Sequence, residues 1–171
     1  MANQLALNAA ELLRRPGIER SVSIDVAASE LDLDDPRLAP DANVHVDVRL
    51  ESLSDAVVVD GSLTVPWSGM CRRCLASIDG TLDAEVHELF QLRVVDPDAS
   101  PIVGDVLDLA PVVREIVLVE LPFEPTCRPD CAGLCPVCGI DRNVATCRCD
   151  ARAVDRRWAA LEQLRGIVDD S

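Results

Sequence analysis

Six of the chain's eight cysteines fall between positions 127 and 149, and that crowding constrains the fold more than any other feature. The run reads Cys127-x3-Cys131-x3-Cys135-Pro136-Val137-Cys138-Gly139, followed by Cys147-x-Cys149. Two thiolates spaced by two residues can chelate one ion, and the following glycine relieves the backbone where its amides approach the sulfurs. Cys135 and Cys138 therefore predict a zinc-knuckle turn. A four-coordinate site needs two more ligands, and the spacing offers two choices. They are Cys127 and Cys131 on one side, or Cys147 and Cys149 across a short loop on the other. Residues 122 to 150 have little apolar periodicity, so bound zinc would supply on the order of 10 kcal/mol of local folding energy. All-cysteine ligation leaves no open coordination position, which points to a structural rather than a catalytic ion.

A separate pair, Cys71-Arg72-Arg73-Cys74, admits three readings. It could complete a second metal site with the cysteines that the first leaves over. It could be a redox pair, because the flanking arginines would lower the thiol pKa. It could also be a reduced pair on an exposed bend. No strand-helix-strand pattern surrounds it, which weighs against a thioredoxin-like role. The absence of a secretory apolar stretch and of any run near ~20 apolar residues predicts a cytoplasmic chain, where thiols stay reduced. Clustered cysteines there are metal ligands first.

Apolar residues make up 49% of the sequence, enough for a core, but the aromatics are only Trp67, Phe90, Phe123 and Trp158. That core must be built from Val, Leu, Ile and Ala, and few aromatics are available to stack on bases. The net charge is −14, and every basic residue is arginine, which excludes a Schiff-base or phosphate-loop lysine. The distribution is uneven. Residues 127 to 166 hold seven arginines against five acids, a net +2, which leaves −16 on the remainder. A zinc-ribbon nucleic-acid or transcription adaptor is thus an alternative reading, with Arg142, Arg148, Arg156 and Arg157 as the candidate nucleic-acid contacts.

Secondary-structure signals point to an α+β chain with a predominantly antiparallel β domain, flanking helices and a small cysteine-rich C-terminal module. Asn8 and Glu11 suggest a capping box for a helix over 8–15, ended by Pro16-Gly17. Val22, Ile24 and Val26 alternate with polar residues, and Val44, Val46, Val48 and Leu50 do so without a fault. Residues 31–42 are acidic and read as a loop. A third strand spans 57–70, with Asp60-Gly61 as a turn or bulge, and Leu82, Ala84, Val86 and Phe90 mark a fourth. The Cys71–Cys74 element would sit at the bend between the last two. Residues 94–105 read as an acidic loop. Asp108 caps a helix with Leu109, Val112, Val113, Ile116 and Val117 on one face, ended by Pro122. Asp155 would cap a last helix carrying Trp158, Leu161 and Leu164. The expected organisation is a β-rich domain over residues 1–121 and a cysteine module with a helix over 122–171.

Nothing in the pattern assembles a catalytic site. There is no glycine-rich phosphate loop, nucleophile elbow or HExxH, and His45 and His87 lie on polar strand faces. The expectation is a protein that is not an enzyme, with no small-molecule substrate and no membrane association. A thiol oxidoreductase using Cys71 and Cys74 is a more distant alternative.

An ordered set of elements resembles the YceD family of large ribosomal RNA subunit accumulation proteins. It comprises Arg15-Pro16-Gly17, Cys71-Arg72-Arg73-Cys74-Leu75, Glu88-Leu89-Phe90 and Leu107-Asp108-Leu109. It continues with Leu121-Pro122-Phe123, Gly133-Leu134-Cys135-Pro136-Val137-Cys138-Gly139 with Asn143, and Asp155-Arg156-Arg157-Trp158-Ala159. The resemblance implies a bacterial ribosome biogenesis factor that supports 23S rRNA accumulation and large-subunit assembly. Its implied partners are a large ribosomal subunit precursor, 23S rRNA or a ribosomal protein such as bL32. It brings no catalytic residues, and some members of the family lack the C-terminal cysteines, so the metal would stabilise rather than act. The charge adds a constraint of its own: the −16 portion could hold a basic ribosomal protein electrostatically until RNA replaces it.

Overall fold

The computed structural model describes residues 3–149, which fall into two compact units. The first comprises residues 3–70 and 77–125; the second comprises 71–76 together with 126–149. The predicted final helix beyond Asp155 lies outside the described residues.

The first unit is built on an antiparallel sheet. Strands β2 (Glu19–Ala27), β3 (Asn43–Ser52), β4 (Ala56–Met70) and β5 (Ser77–Gln91) follow one another in space as in sequence. A two-residue strand, β6 (Ser100–Pro101), then joins β5 in parallel within the predicted acidic loop. The unit is α+β, as the alternation indicated. Valines at every second position of β3 bury Val44, Val46, Val48 and Leu50, each at most 2% exposed, while Asp47 and Arg49 between them face solvent. The same face continues through Val57, Val59, Leu63 and Val65 on β4 and Leu82, Ala84, Val86 and Phe90 on β5. Burial of each such side chain is worth roughly 1.5–3 kcal/mol, so these strands carry much of the fold.

Helix α2 (Ala110–Glu120) covers that face with Val113 and Val117 fully buried and Val112 and Ile116 packed at the margin. The Asp108 carboxylate accepts the Ala110 N–H at 3.0 Å, satisfying one orphan donor at the helix start. Its other end is held from the loop after β2. Arg37 binds Asp35 through two bonds of 2.7 and 2.8 Å and donates to the Pro122 carbonyl at 2.7 Å. The Arg37 guanidinium holds the Asp35 carboxyl below its ordinary value, chiefly by this hydrogen bonding.

Two local expectations are corrected and a third, the 31–42 loop, gains buried residues. Asp60-Gly61 is neither turn nor bulge: β4 runs through it, with Asp60 opposite Arg49 and Gly61 opposite Val48. Glycine is required there by close approach, since a Cβ would stand 2.1 Å from the Asp47 carbonyl oxygen. The 31–42 loop is acidic at its surface but buries Leu31, Leu33 and Leu38 in the core, after a 3-10 turn over Ala28–Leu31. The helix expected over 8–15 is shorter, α1 (Ala10–Arg14), because β1 (Ala6–Asn8) pairs with β7 (Val106–Asp108) just before it. Asn8 still accepts the Ala10 N–H at 3.0 Å, whereas Glu11 pairs with Arg15 instead of closing a capping box.

Gly61→Ala should therefore destabilise the first unit by about 1–3 kcal/mol, the usual cost of forcing atoms into a packed site. A urea unfolding midpoint unchanged from wild type would contradict this close approach of β4 to β3.

Candidate metal centre

All eight cysteines lie in the second unit, and they assemble into two groups of four sulfurs. Within each group the sulfurs are within 4.8 Å of one another. The first group joins Cys71 and Cys74 to Cys127 and Cys131; the second joins Cys135 and Cys138 to Cys147 and Cys149. Spacing alone left the partners of Cys135 and Cys138 open, and the structure places them with the cysteines that follow. Cys127 and Cys131 lie instead with the pair from the turn between β4 and β5.

That turn is tight. Cys71 N–H donates to the Ala76 carbonyl at 2.8 Å, and Leu75, at φ +61°, returns its N–H to the Cys71 carbonyl at 2.9 Å. The Arg73 N–H points at the Cys71 sulfur, 3.4 Å away. The Arg73 guanidinium then ties the turn to the second segment by donating to the carbonyls of Pro129 at 3.0 Å and Cys131 at 3.1 Å. Gly133 permits the backbone to pass close by: it has φ +70°, and a Cβ there would stand 2.9 Å from the Arg73 carbonyl oxygen. That same carbonyl accepts the Leu134 N–H at 2.9 Å.

In the second group, Cys135 N–H donates to Ile140 O at 2.8 Å and Gly139 N–H to Cys135 O at 2.9 Å. Gly139 adopts φ +73°, closing the knuckle. Asn143 stands behind the first group. Its side-chain oxygen accepts from the Ala132 N–H at 2.8 Å and from Arg128 at 2.7 Å. Its amide nitrogen donates to Asp141 at 2.7 Å and to the Cys131 sulfur at 3.4 Å. Sequence reasoning gave Arg73 only an effect on the thiol pKa and gave Asn143 no role at this site; the Asp-x-Asn spacing of an Asx turn at 141–143 is the signal that could have found Asn143.

The geometry suits a tetrahedral cation. Four sulfurs at ~2.3 Å from a common centre stand about 3.8 Å apart. The measured separations are 3.8 Å for Cys71 to Cys131 and 3.7 Å for Cys74 to Cys127, far beyond a disulfide bond of about 2.05 Å. Each group could hold a metal ion. The electrostatics agree. Backbone N–H groups, from Cys127 in one case and Cys138 in the other, lower Cys71 and Cys135 to about 6. Cys127 and Cys149 are pushed up to about 12, principally by the neighbouring thiols of Cys131 and Cys138. Thiolates this close cannot all ionise unless a cation sits among them.

The two groups differ in exposure. In the first group Cys71, Cys74 and Cys131 are buried and Cys127 is exposed; in the second only Cys135 is buried, Cys138 is exposed, and Cys147 and Cys149 are half-buried. The side chains of Arg142 and Arg148 are exposed, so they are accessible; Arg156 and Arg157 lie outside the described residues. The histidines join neither group: His45 bonds Asp25 at 2.9 Å, and His87 bonds Asp60.

A family model described as large ribosomal RNA subunit accumulation protein YceD matches residues 59–165. An uncharacterized protein of Mycobacterium tuberculosis is 31% identical over the whole of this chain and 86% of its own length. The protein YlbN of Bacillus subtilis is 27% identical over 74% of each chain. A maize protein named large ribosomal RNA subunit accumulation protein YCED homolog 1, chloroplastic, is 29% identical over 53% of this chain and 27% of its own. No solved structure matches.

Protein purified without reductant and unfolded in denaturant should titrate as eight free thiols once any metal is chelated. A count of six or fewer would reveal a disulfide and dissolve one of the four-sulfur groups.

Proposed function

The chain belongs to the YceD family, and from that premise we propose that it is a non-catalytic ribosome biogenesis factor. In this reading it acts in the cytoplasm and supports 23S rRNA accumulation and assembly of the large ribosomal subunit. The family match over residues 59–165 carries the reading, because it spans most of the β4–β5 hairpin, α2 and all eight cysteines. Among the described residues no helix is long and apolar enough to cross a membrane.

Each four-cysteine group holds one zinc ion in this proposal. Zinc supplies the charge that lets four crowded thiolates coexist, and it anchors segments with few apolar contacts of their own. The chain's residues do the rest. Arg73 fixes the Cys71–Cys74 turn, Gly139 shapes the knuckle, and Asn143 orients Cys131 while donating to its sulfur. With four sulfurs committed, no coordination position is left for a substrate, and the metal is structural.

The partner is a large-subunit precursor, reached through 23S rRNA or through a basic ribosomal protein such as bL32. Charge favours the protein. The solvent face of the sheet presents Asp25, Asp47, Asp79, Asp83 and Glu85, with Arg49 as a counter-charge, and such a face repels naked RNA.

Two measurements test this reading. Native mass spectrometry of the intact chain should find two zinc ions, and Cys74→Ser or Cys138→Ser should each retain one. A wild-type chain that binds none would end the metal assignment. Depletion in the native organism should lower 23S rRNA relative to 16S rRNA by twofold or more, with restoration by the intact gene. An unchanged ratio would end the ribosomal assignment.

A further inference from the structure

Strand β5 lies near the margin of its sheet, and among the described residues most of its outer edge has no partner. β4 pairs with all fifteen of its residues on one side, from Ala56 opposite Gln91 to Met70 opposite Ser77. On the other side, among the described residues, only Phe90 and Gln91 are paired, with the two residues of β6. Parity identifies the backbone groups left over. Ile102 N–H reaches the Gln91 carbonyl from the outer side, while Leu92 N–H turns to Asp55 on the β4 side. In an antiparallel strand the N–H and C=O of one residue face the same way, and the direction alternates. The register has no bulge, so Asp83, Glu85, His87 and Leu89 share the outward orientation of Gln91.

Of these, Asp83, Glu85 and His87 border a groove of about 830 Å³ between the β5 edge and α2. Val112, Ile116 and Val119 give it an apolar wall. Asp83, Glu85, Glu88, Asp98, Glu115 and Glu120 also line it, and among the described residues no arginine does. An open strand edge facing a helix is the arrangement that accepts an added strand: backbone bonds hold any extended chain, and the flanking side chains select which one. Six carboxylates, with no arginine beside them among the described residues, select a basic one and reject an acidic one.

We propose that this groove binds an extended, lysine- or arginine-rich protein segment as an additional strand along β5. Apolar side chains of the segment would rest on Val112, Ile116 and Val119 while its alternate cations meet the carboxylates. At ~3.4 Å per residue, about seven residues of the segment span Asp83 to Leu89. The inference goes beyond the ribosomal reading and rests on the groove alone.

The test uses the full chain and a labelled eight-residue peptide in which lysine alternates with valine and threonine, beside a counterpart with glutamate for lysine. Fluorescence anisotropy should show binding of the basic peptide only, weakened about tenfold or more when salt is raised from roughly 0.05 to 0.3 M. Amide exchange by NMR supplies the site. The Glu85 and His87 amides should exchange rapidly in the free chain and become at least tenfold protected with peptide, while Ala84 and Val86 stay as they were. Glu85→Pro removes one outward donor without touching the β4 ladder, as proline permits at a sheet edge. It should weaken binding tenfold beyond Glu85→Gln, which matches the lost charge. The wild-type exchange result decides the question should the proline variant misfold.

Equal binding of the acidic peptide, or no binding, would overturn the proposal. So would binding that leaves Glu85 and His87 unprotected, since the peptide would then lie on the open acidic face. Slow exchange of those amides in the free chain would show that residues 150–171 or a second copy already occupy the edge, and would overturn it too. Failure to affect 23S rRNA would count against the ribosomal reading only.

Discussion

The unbroken pairing of β4 with β5 is the constraint from which most of the first unit follows. Fifteen cross-strand pairs in constant register put Val57, Val59, Leu63 and Val65 on the same face as Leu82, Ala84, Val86 and Phe90. A slip of one residue would turn one of the two sets into water, so the register is held by the burial of the whole face. The same register determines which backbone groups of β5 face outward, and where the chain leaves Met70 and returns at Ser77. Cys71 and Cys74 occupy that interval, so the pairing of two long strands also fixes the separation of the turn that carries them.

The strands were legible because a half-buried sheet writes its geometry as alternation. Val44 to Leu50 alternate without exception, and each apolar member is buried. Elements without such a period were not legible. β1 and β7 are three residues each, too short for alternation, and they are held by pairing across about a hundred residues of sequence. Leu31, Leu33 and Leu38 sit among aspartates, and local composition hid that they turn inward. Gly61 shows a different limit: glycine serves turns and close approaches alike, and only the distance to the Asp47 carbonyl tells them apart.

The cysteine groups divide in the same way. Cys135 and Cys138 announce themselves, since a knuckle needs only local chain geometry. The association of Cys71 and Cys74 with Cys127 and Cys131 is long-range and depends on Arg73, whose side chain reaches Pro129 and Cys131 and whose carbonyl receives Leu134. An arginine between two cysteines reads as a modulator of thiol pKa, whereas its hydrogen bonds make it a clasp. In each set a thiol depressed by backbone N–H groups stands with one pushed up by its neighbours. That imbalance is what a divalent cation relieves.

Charge at the β5 edge serves two ends. A long strand edge that is unpaired among the described residues, with an apolar wall beside it, invites pairing with any chain, including another copy of itself. Asp83 and Glu85 on the strand and Glu115 and Glu120 on α2 make such self-pairing repulsive, because two copies would bring like charges together along the full contact. The repulsion does not act on a cationic chain. Carboxylates that keep the edge soluble therefore leave it open to one chemical class of partner, and the edge need not be capped or shortened to be safe. With no lysine in the chain and no arginine among the described residues that line the groove, that discrimination holds where the groove meets the strand.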